Sequence, residues 1–245
     1  MKTITLTDKI EDTPIRKDIF RRLRTNIEFT GVENRVICVT SCEAGDGKSS
    51  VTFHLAKAFA DADKRTLLMD ADMRKSVMHR VHDFDKHRKG LSHLLSGKED
   101  SADIVYQTNY ENLYLMPTGV FPKNPTELLA KPRFEQLITV LKRSFDYVII
   151  DTPPLGMVID AAVIAKVSDA SILVLSSDGT SRREAKVVKN QLIQANPNFL
   201  GVVLNKVDMK TGSYGKRYGY GYGYGYGYGY GGAYYGEDES EDSEK

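Results

Sequence analysis

The run Thr40-Ser41-Cys42-Glu43-Ala44-Gly45-Asp46-Gly47-Lys48-Ser49-Ser50 has the residue types for gripping a polyphosphate. Glycines such as Gly45 and Gly47 let backbone N–H groups turn inward around phosphate oxygens, and a helix opening at this point adds its positive end. Asp46 and Ser50 belong to the same cradle. Lys48 reaches the β- and γ-phosphates as a point charge, and the Ser49 hydroxyl suits Mg²⁺. The usual first glycine of such a loop is Cys42 here. Two other segments end apolar runs in acids: Leu67-Leu68-Met69-Asp70-Ala71-Asp72-Met73-Arg74 and Tyr147-Val148-Ile149-Ile150-Asp151-Thr152-Pro153-Pro154. Mg²⁺ takes oxygen ligands and keeps several waters, so carboxylates near the phosphate loop suit it. One such aspartate could do no more than cap the turn that follows it. Three on two strands, beside a phosphate loop on a third, point to a metal–polyphosphate site at the carboxyl ends of a sheet.

A second set of reactive groups lies far along the chain. Ten of the 14 tyrosines fall in its last stretch: Tyr214, Tyr218, Tyr220, Tyr222, Tyr224, Tyr226, Tyr228, Tyr230, Tyr234 and Tyr235. Most belong to an unbroken Tyr-Gly alternation from Tyr218 to Gly231. Such a segment cannot fold by itself, because alternate glycines offer no side chain to bury and lose the most backbone entropy. Alone, it reads as a sticky or inert low-complexity tail. On a chain that also carries a phosphate loop, its phenols read as phosphate acceptors.

The elements that must position these groups are legible as alternating β-branched runs and helical stretches, the pattern of a parallel sheet covered on both faces. Strands are predicted at Val36–Thr40, Thr66–Asp70, Leu113–Met116, Tyr147–Asp151, Ser171–Ser176 and Gly201–Asn205, and helices at Gly47–Ala62, Thr126–Ser144, Asp160–Val167 and Arg182–Ala195. A further helix is predicted from Pro14 to Phe29, with Pro14 suited to a first turn. Residues 78–103 read as a peripheral insertion whose four histidines (His79, His82, His87, His93) lack metal spacing and belong on the surface. The expected organisation is an α/β, P-loop NTPase-like domain over residues 1–209 and a disordered Tyr-Gly and acidic tail over 210–245.

Composition narrows the class. The tail holds four basic and six acidic residues, leaving 30 basic and 27 acidic in residues 1–209, so the body is +3 and the tail −2. Such balance excludes a strongly basic nucleic-acid binder, and no nucleic-acid partner is expected. No apolar run approaches the ~18–20 residues of a membrane span, and the N-terminus lacks a signal-peptide core. Two cysteines, Cys38 and Cys42, make no disulfide or metal framework. A cytoplasmic protein is expected, whose membrane contact is borrowed from a partner.

The phosphate loop, the DxDxR segment and the DxPP segment resemble the Walker A, A′ and B motifs of the bacterial tyrosine kinases of capsular and exopolysaccharide synthesis. The resemblance extends over essentially the whole chain, including the segment Gly119–Leu129 and the tyrosine cluster. It implies the P-loop fold shared with partition and septum-site ATPases, and an ATP- and Mg²⁺-dependent kinase that phosphorylates its own tail tyrosines and other protein substrates. By resemblance, Gly45, Asp46, Gly47, Lys48, Ser49 and Ser50 hold ATP, Ser49, Asp72 and Asp151 hold the metal, and Asp70 is the base that takes the tyrosine proton. Asn205 is implied at the adenine. Arg74 either stabilises charge on the transferred phosphate or pairs with an acid. The family further implies a transmembrane activator whose cytoplasmic tail recruits the kinase to the inner face of the membrane, and a cognate tyrosine phosphatase. Asp18, Arg21 and Arg24 stand where the family carries its ExxRxxR assembly signature, with Asp in place of Glu, which implies a ring that dissociates on phosphorylation.

Two other readings weigh against this one. A partition- or septum-type ATPase would carry a lysine five residues before Lys48, where this chain has Glu43. A tail that stacks on single-stranded nucleic acid would interleave basic residues with its aromatics, and Tyr218–Tyr230 contains none.

Overall fold

Eight strands form one sheet: β1 (Lys2–Ile4), β2 (Val36–Ser41), β3 (Thr66–Asp70), β4 (Tyr106–Thr108), β5 (Leu113–Met116), β6 (Tyr147–Asp151), β7 (Ala170–Ser176) and β8 (Phe199–Asn205). The computed structural model describes residues 2–9, 13–85, 88–177 and 179–207. The expected phosphate acceptors Tyr214, Tyr218, Tyr220, Tyr222, Tyr224, Tyr226, Tyr228, Tyr230, Tyr234 and Tyr235 all lie outside the described residues, as does His87. Spatial order is β1-β4-β5-β3-β6-β2-β7-β8. The helices are α1 (Pro14–Glu28), α2 (Lys48–Ala60), α3 (Met78–Val81), α4 (Leu91–Leu95), α5 (Ser101–Ile104), α6 (Pro125–Leu129), α7 (Pro132–Ser144), α8 (Asp160–Lys166) and α9 (Arg182–Ala195).

The three strands that matter most lie side by side at the centre. Every residue of β2 and β3 is buried, as continuous apolar runs require when helices cover both faces. Successive side chains point to opposite faces. Ile37, Val39, Leu68 and Ile149 therefore join a core with Ile27 of α1 and Phe53, Leu55 and Phe59 of α2. Cys38, Leu67, Met69, Val148 and Ile150 join the other core, with Leu141 of α7, Ile164 of α8 and Leu192 of α9. Each such aliphatic side chain contributes on the order of 1.5–3 kcal/mol by leaving water. That burial fixes the register in which the strand ends carry their acids.

Local signals set the helix ends. Thr13 caps α1, its hydroxyl accepting from the Arg16 N–H at 3.3 Å, and Pro14 opens the first turn. Ser181 and Glu184 form a reciprocal capping box on α9.

Four expectations need correction. The sheet is not wholly parallel, because β4 runs antiparallel to β5. Both β1 and β4 went unread, being three residues each, too short for a periodic signal. The single helix expected over Thr126–Ser144 is two, since Lys131, forced into an extended conformation ahead of Pro132, ends the first. Residues 78–103 are no surface insertion. Met78, Leu91, Leu94 and Leu95 are core residues, and His82 is 1 % exposed with its ring 3.9 Å from that of Phe53.

Candidate active site

The chain leaves β2, turns through 42–47 and enters α2 at Lys48. Gly45 and Gly47 sit at φ +92° and +87°, the left-handed region that glycine tolerates. A Cβ on Gly47 would fall 2.0 Å from the side-chain nitrogen of Asn205, which donates to the Asp46 carbonyl at 2.9 Å. Asn205 thus braces the loop from the end of β8. Cys42, where glycine is usual, has no left-handed backbone and needs none. Within the loop the Glu43 N–H donates to the Asp46 carboxylate at 2.9 Å.

Strand register delivers the acids. Asp70 ends β3 and Asp151 ends β6, and the two are direct partners across the ladder, while Val39 of β2 faces Asp151 from the other side. The Ser49 hydroxyl donates to Asp151 at 2.6 Å, and Thr52 reaches the same carboxylate at 3.4 Å. Lys48 Nζ stands 3.4 Å from Asp72 and 3.8 Å from Asp151. Asp72 turns its other oxygen back to accept from the Arg74 and Lys75 N–H groups. Asp70 accepts from the Ser76 hydroxyl and the Asp72 N–H.

One lysine and three aspartates are therefore buried together; Lys48 is 8 % exposed and Asp70, Asp72 and Asp151 are 1, 4 and 1 %. Burial pushes the Asp70 carboxyl up to about 8, reinforced by the Asp151 charge and only partly opposed by the Ser76 hydrogen bond. Burial also raises Asp151, against the pull of Lys48. For Lys48 burial favours the neutral amine, but Asp151, Asp72 and Asp70 together outweigh it and raise its pKa. Excess buried negative charge is costly unless a cation joins it. Ser49, Asp72 and Asp151 offer the hard oxygens Mg²⁺ prefers. Among the described residues no group of three or more His, Cys, Asp or Glu side chains is placed to hold a metal ion by itself.

Arg74 resolves in favour of an acid partner. Its Nε and one terminal nitrogen fork onto Asp160, the first residue of α8, at 2.5 and 3.0 Å. The same terminal nitrogen donates to the Thr126 hydroxyl at 2.9 Å, and Thr126 itself hydrogen-bonds Asp160. Sequence reasoning placed Asp160 at a helix start and Thr126 at another, and neither position signalled this partnership across 86 and 34 residues.

Two clefts adjoin the site. A cavity of about 250 Å³ opens beside Asp70, walled by Ser76, His79, Phe84, Thr118 and residues 119–121. A larger cleft of about 930 Å³ runs along Cys42, Glu43 and Ala44 toward Met157, Ile159 and one side of α9, and Asp70 does not line it. The Ser50 hydroxyl points at His54, 3.5 Å away.

The α1 residues are not gathered into this site. Asp18 pairs with Arg22 at 2.9 Å, and Arg24 pairs with Glu28 at 3.5 Å while donating to the Ala58 carbonyl of α2. Arg21 lies on the exposed side of the helix.

Residues 34–195 match the family described as AAA domain. The chain is similar to tyrosine-protein kinase CpsD of Streptococcus agalactiae serotype III, 42% identical over 207 residues that cover 84% of this chain and 89% of that protein. Among solved structures it resembles the kinase domain of Escherichia coli tyrosine kinase ETK, with a TM-score of 0.76, 30% identity, and coverage of 87% of this chain and 80% of that one. It is more distantly similar to the septum site-determining protein MinD complexed with Mg-ADP from Pyrococcus horikoshii OT3, with a TM-score of 0.60, 27% identity, and 69% of each chain covered.

Proposed function

The chain belongs to the bacterial tyrosine-protein kinases of capsule and exopolysaccharide synthesis, and from that premise we propose that it moves the γ-phosphoryl group of ATP onto tyrosine hydroxyls, those of its own tail among them. The observation that carries this is the ladder pairing of Asp70 with Asp151 beside Lys48 and Ser49, with a cavity opening at Asp70. A site built only to hold nucleotide has no need of a second buried acid with a cavity at its face.

Each residue has a distinct task. Lys48 and the N–H groups of 45–50 bind the phosphates, and Asn205 keeps their loop in shape from its place at the end of β8. Mg²⁺, held by Ser49, Asp72 and Asp151, would supply charge neutralisation on the phosphate oxygens. A phenol entering the 250 Å³ cavity brings its hydroxyl to Asp70. Its oxygen attacks the γ-phosphorus, the bond to the β–γ bridging oxygen breaks, ADP leaves, and the phenol proton passes to the ionised form of Asp70, a stronger base for its raised pKa.

The acceptors in the chain itself are the ten tyrosines between Tyr214 and Tyr235. No described helix is long and apolar enough to cross a membrane. Recruitment to the inner membrane face by a membrane-spanning partner, whose cytoplasmic tail also activates the kinase, is part of this reading. Asp18, Arg21 and Arg24 assemble copies into a ring in which one tail reaches the next active site, and accumulated phosphate charge disperses it.

The test is phosphotyrosine on purified protein given Mg-ATP, with and without a candidate activator's cytoplasmic tail. Deleting residues 214–245 should remove nearly all self-phosphorylation and spare that of other proteins. Absence of phosphotyrosine in every condition defeats the kinase reading. Main phosphosites at Tyr106, Tyr110, Tyr114 or Tyr147 defeat the division of labour between body and tail.

A further inference from the structure

The fully buried carboxylate of Asp160 lies at the meeting point of three separate segments. Its oxygens take the fork of Arg74 from the loop after β3 and the hydroxyl of Thr126 from the start of α6. Asp160 has no exposed surface, so its charge depends on these donors. Arg74 comes from the loop that follows Asp70, and Thr126 from the helix entered by the loop that walls the cavity at Asp70. The loop after β3 carries Asp72, whose one oxygen is tied to the Arg74 and Lys75 N–H groups so that the other faces Lys48 at 3.4 Å. The loop before α6 supplies residues 119–121 to the cavity wall. Forked pairs of this kind fix orientation as well as distance.

We propose that Asp160 is a positioning residue that sets both sides of the transfer site at once, through Arg74 the placement of Asp72, and through Thr126 the wall of the cavity that receives the acceptor tyrosine. Arg74 is then an anchor and not a clamp on the transferred phosphate, since its Nε and a terminal nitrogen are already committed to Asp160. The inference rests on the kinase reading above. Its particular content is that one buried acid couples the metal side to the acceptor side, with no contact to either reactant.

The consequences separate by side. Arg74→Lys keeps the charge and loses the fork, so the Mg²⁺ concentration needed for half-maximal binding of a fluorescent ADP analogue should rise several-fold. Affinity for that analogue in EDTA should stay nearly unchanged, because the phosphate loop is untouched. Thr126→Val should raise KM for a tyrosine-containing peptide several-fold and leave the Mg²⁺ titration alone. Asp160→Asn should do both and lower kcat by about 10–100-fold, the usual cost of a displacement near 1 Å. Since all three act through one junction, Arg74→Lys combined with Asp160→Asn should cost little more than Asp160→Asn alone.

A folded Asp160→Asn protein with wild-type KM and Mg²⁺ dependence overturns the inference. If Asp160→Asn does not fold, the decision falls to Arg74→Lys and Thr126→Val, and loss of both properties in each variant, or of neither, overturns it. Wild-type protein that makes no phosphotyrosine defeats the kinase reading instead, while the Mg²⁺ titration still judges the arm through Arg74.

Discussion

Helix α2 joins two buried polar clusters of opposite design. At its first turn Lys48 and Ser49 meet Asp72 and Asp151, and Asp70 lies beside them. Further along the helix, His54 pairs with Asp8 at 3.2 Å, its other ring nitrogen lies 2.8 Å from the Ser50 carbonyl, and its ring stacks on Phe20. His82 packs next to them against Phe53. In the first cluster burial leaves an excess of negative charge that a cationic ligand completes. In the second, aromatic rings exclude charge: burial lowers His82 to about 4, with Asp8 opposing and His54 and Lys9 assisting. The first turn is built to trade charge with a ligand, whereas burial beside the later turns disfavours a charge on His82. Binding therefore answers to the first turn of α2, and acid stability to His82, which packs against the same helix through Phe53.

Removing the ligand-facing cation should give the largest effect. Lys48→Met is expected to cut phosphotyrosine formation by at least about 10³-fold, because it takes away the cation that meets the β- and γ-phosphates. Circular dichroism should show the fold retained; survival of activity, with other kinases excluded, breaks the account of this end. Asp70→Asn should cost about 10²–10⁴-fold in kcat with nucleotide affinity nearly unchanged, as for a lost general base. Equal losses in both would make Asp70 a metal or structural residue.

The charge-excluding end should declare itself in acid. His82 takes its proton near 4 when folded and about 6.5 when unfolded, so its contribution is complete above 6.5 and is lost as pH falls toward 4. The loss amounts to about 3 kcal/mol, measurable by urea denaturation across that window. His82→Leu should flatten the dependence, and an unchanged slope would show that the acid sensitivity resides elsewhere. The smallest effect belongs to an exposed pair. Asp18→Ala removes its i,i+4 bridge to Arg22 and should change the stability of the folded chain by only about 0.2–0.5 kcal/mol. Loss of association in light scattering with so small a change in stability would assign Asp18 to assembly; a mass unchanged between forms would remove it from that role.

Features carried by short spans of sequence were legible. The strands that carry the phosphate loop and the acids, and the turns after them, announce themselves through apolar runs stopped by Asp, Gly or Pro, and the structure puts β3, β5 and β6 at the expected limits. The partners of Arg74 were not legible. Local pattern restricts a guanidinium to some acid, and only the packing of α6 and α8 on the sheet decides which. His82 misled for a related reason: a polar residue in a polar-looking segment carries no local sign that Phe53 of α2 and the stretch at Thr7 will come against it. Strands of three residues are silent because so short an alternation cannot be told from chance.

The edge strand β1 pairs Lys2 with Tyr106, and the adjoining Leu6 N–H is held by the Asn109 side chain at 2.7 Å. During synthesis at about 5–20 residues per second, β1 must wait roughly 5–20 s for the partner that holds it to be made. Until then Ile4 and Leu6, both core residues, lack the strand pairing that holds β1 in the sheet. The sheet is thus finished at that border by a segment made well before its partner, and pulse-labelled hydrogen exchange should find Lys2–Ile4 protected only after the central strands have closed.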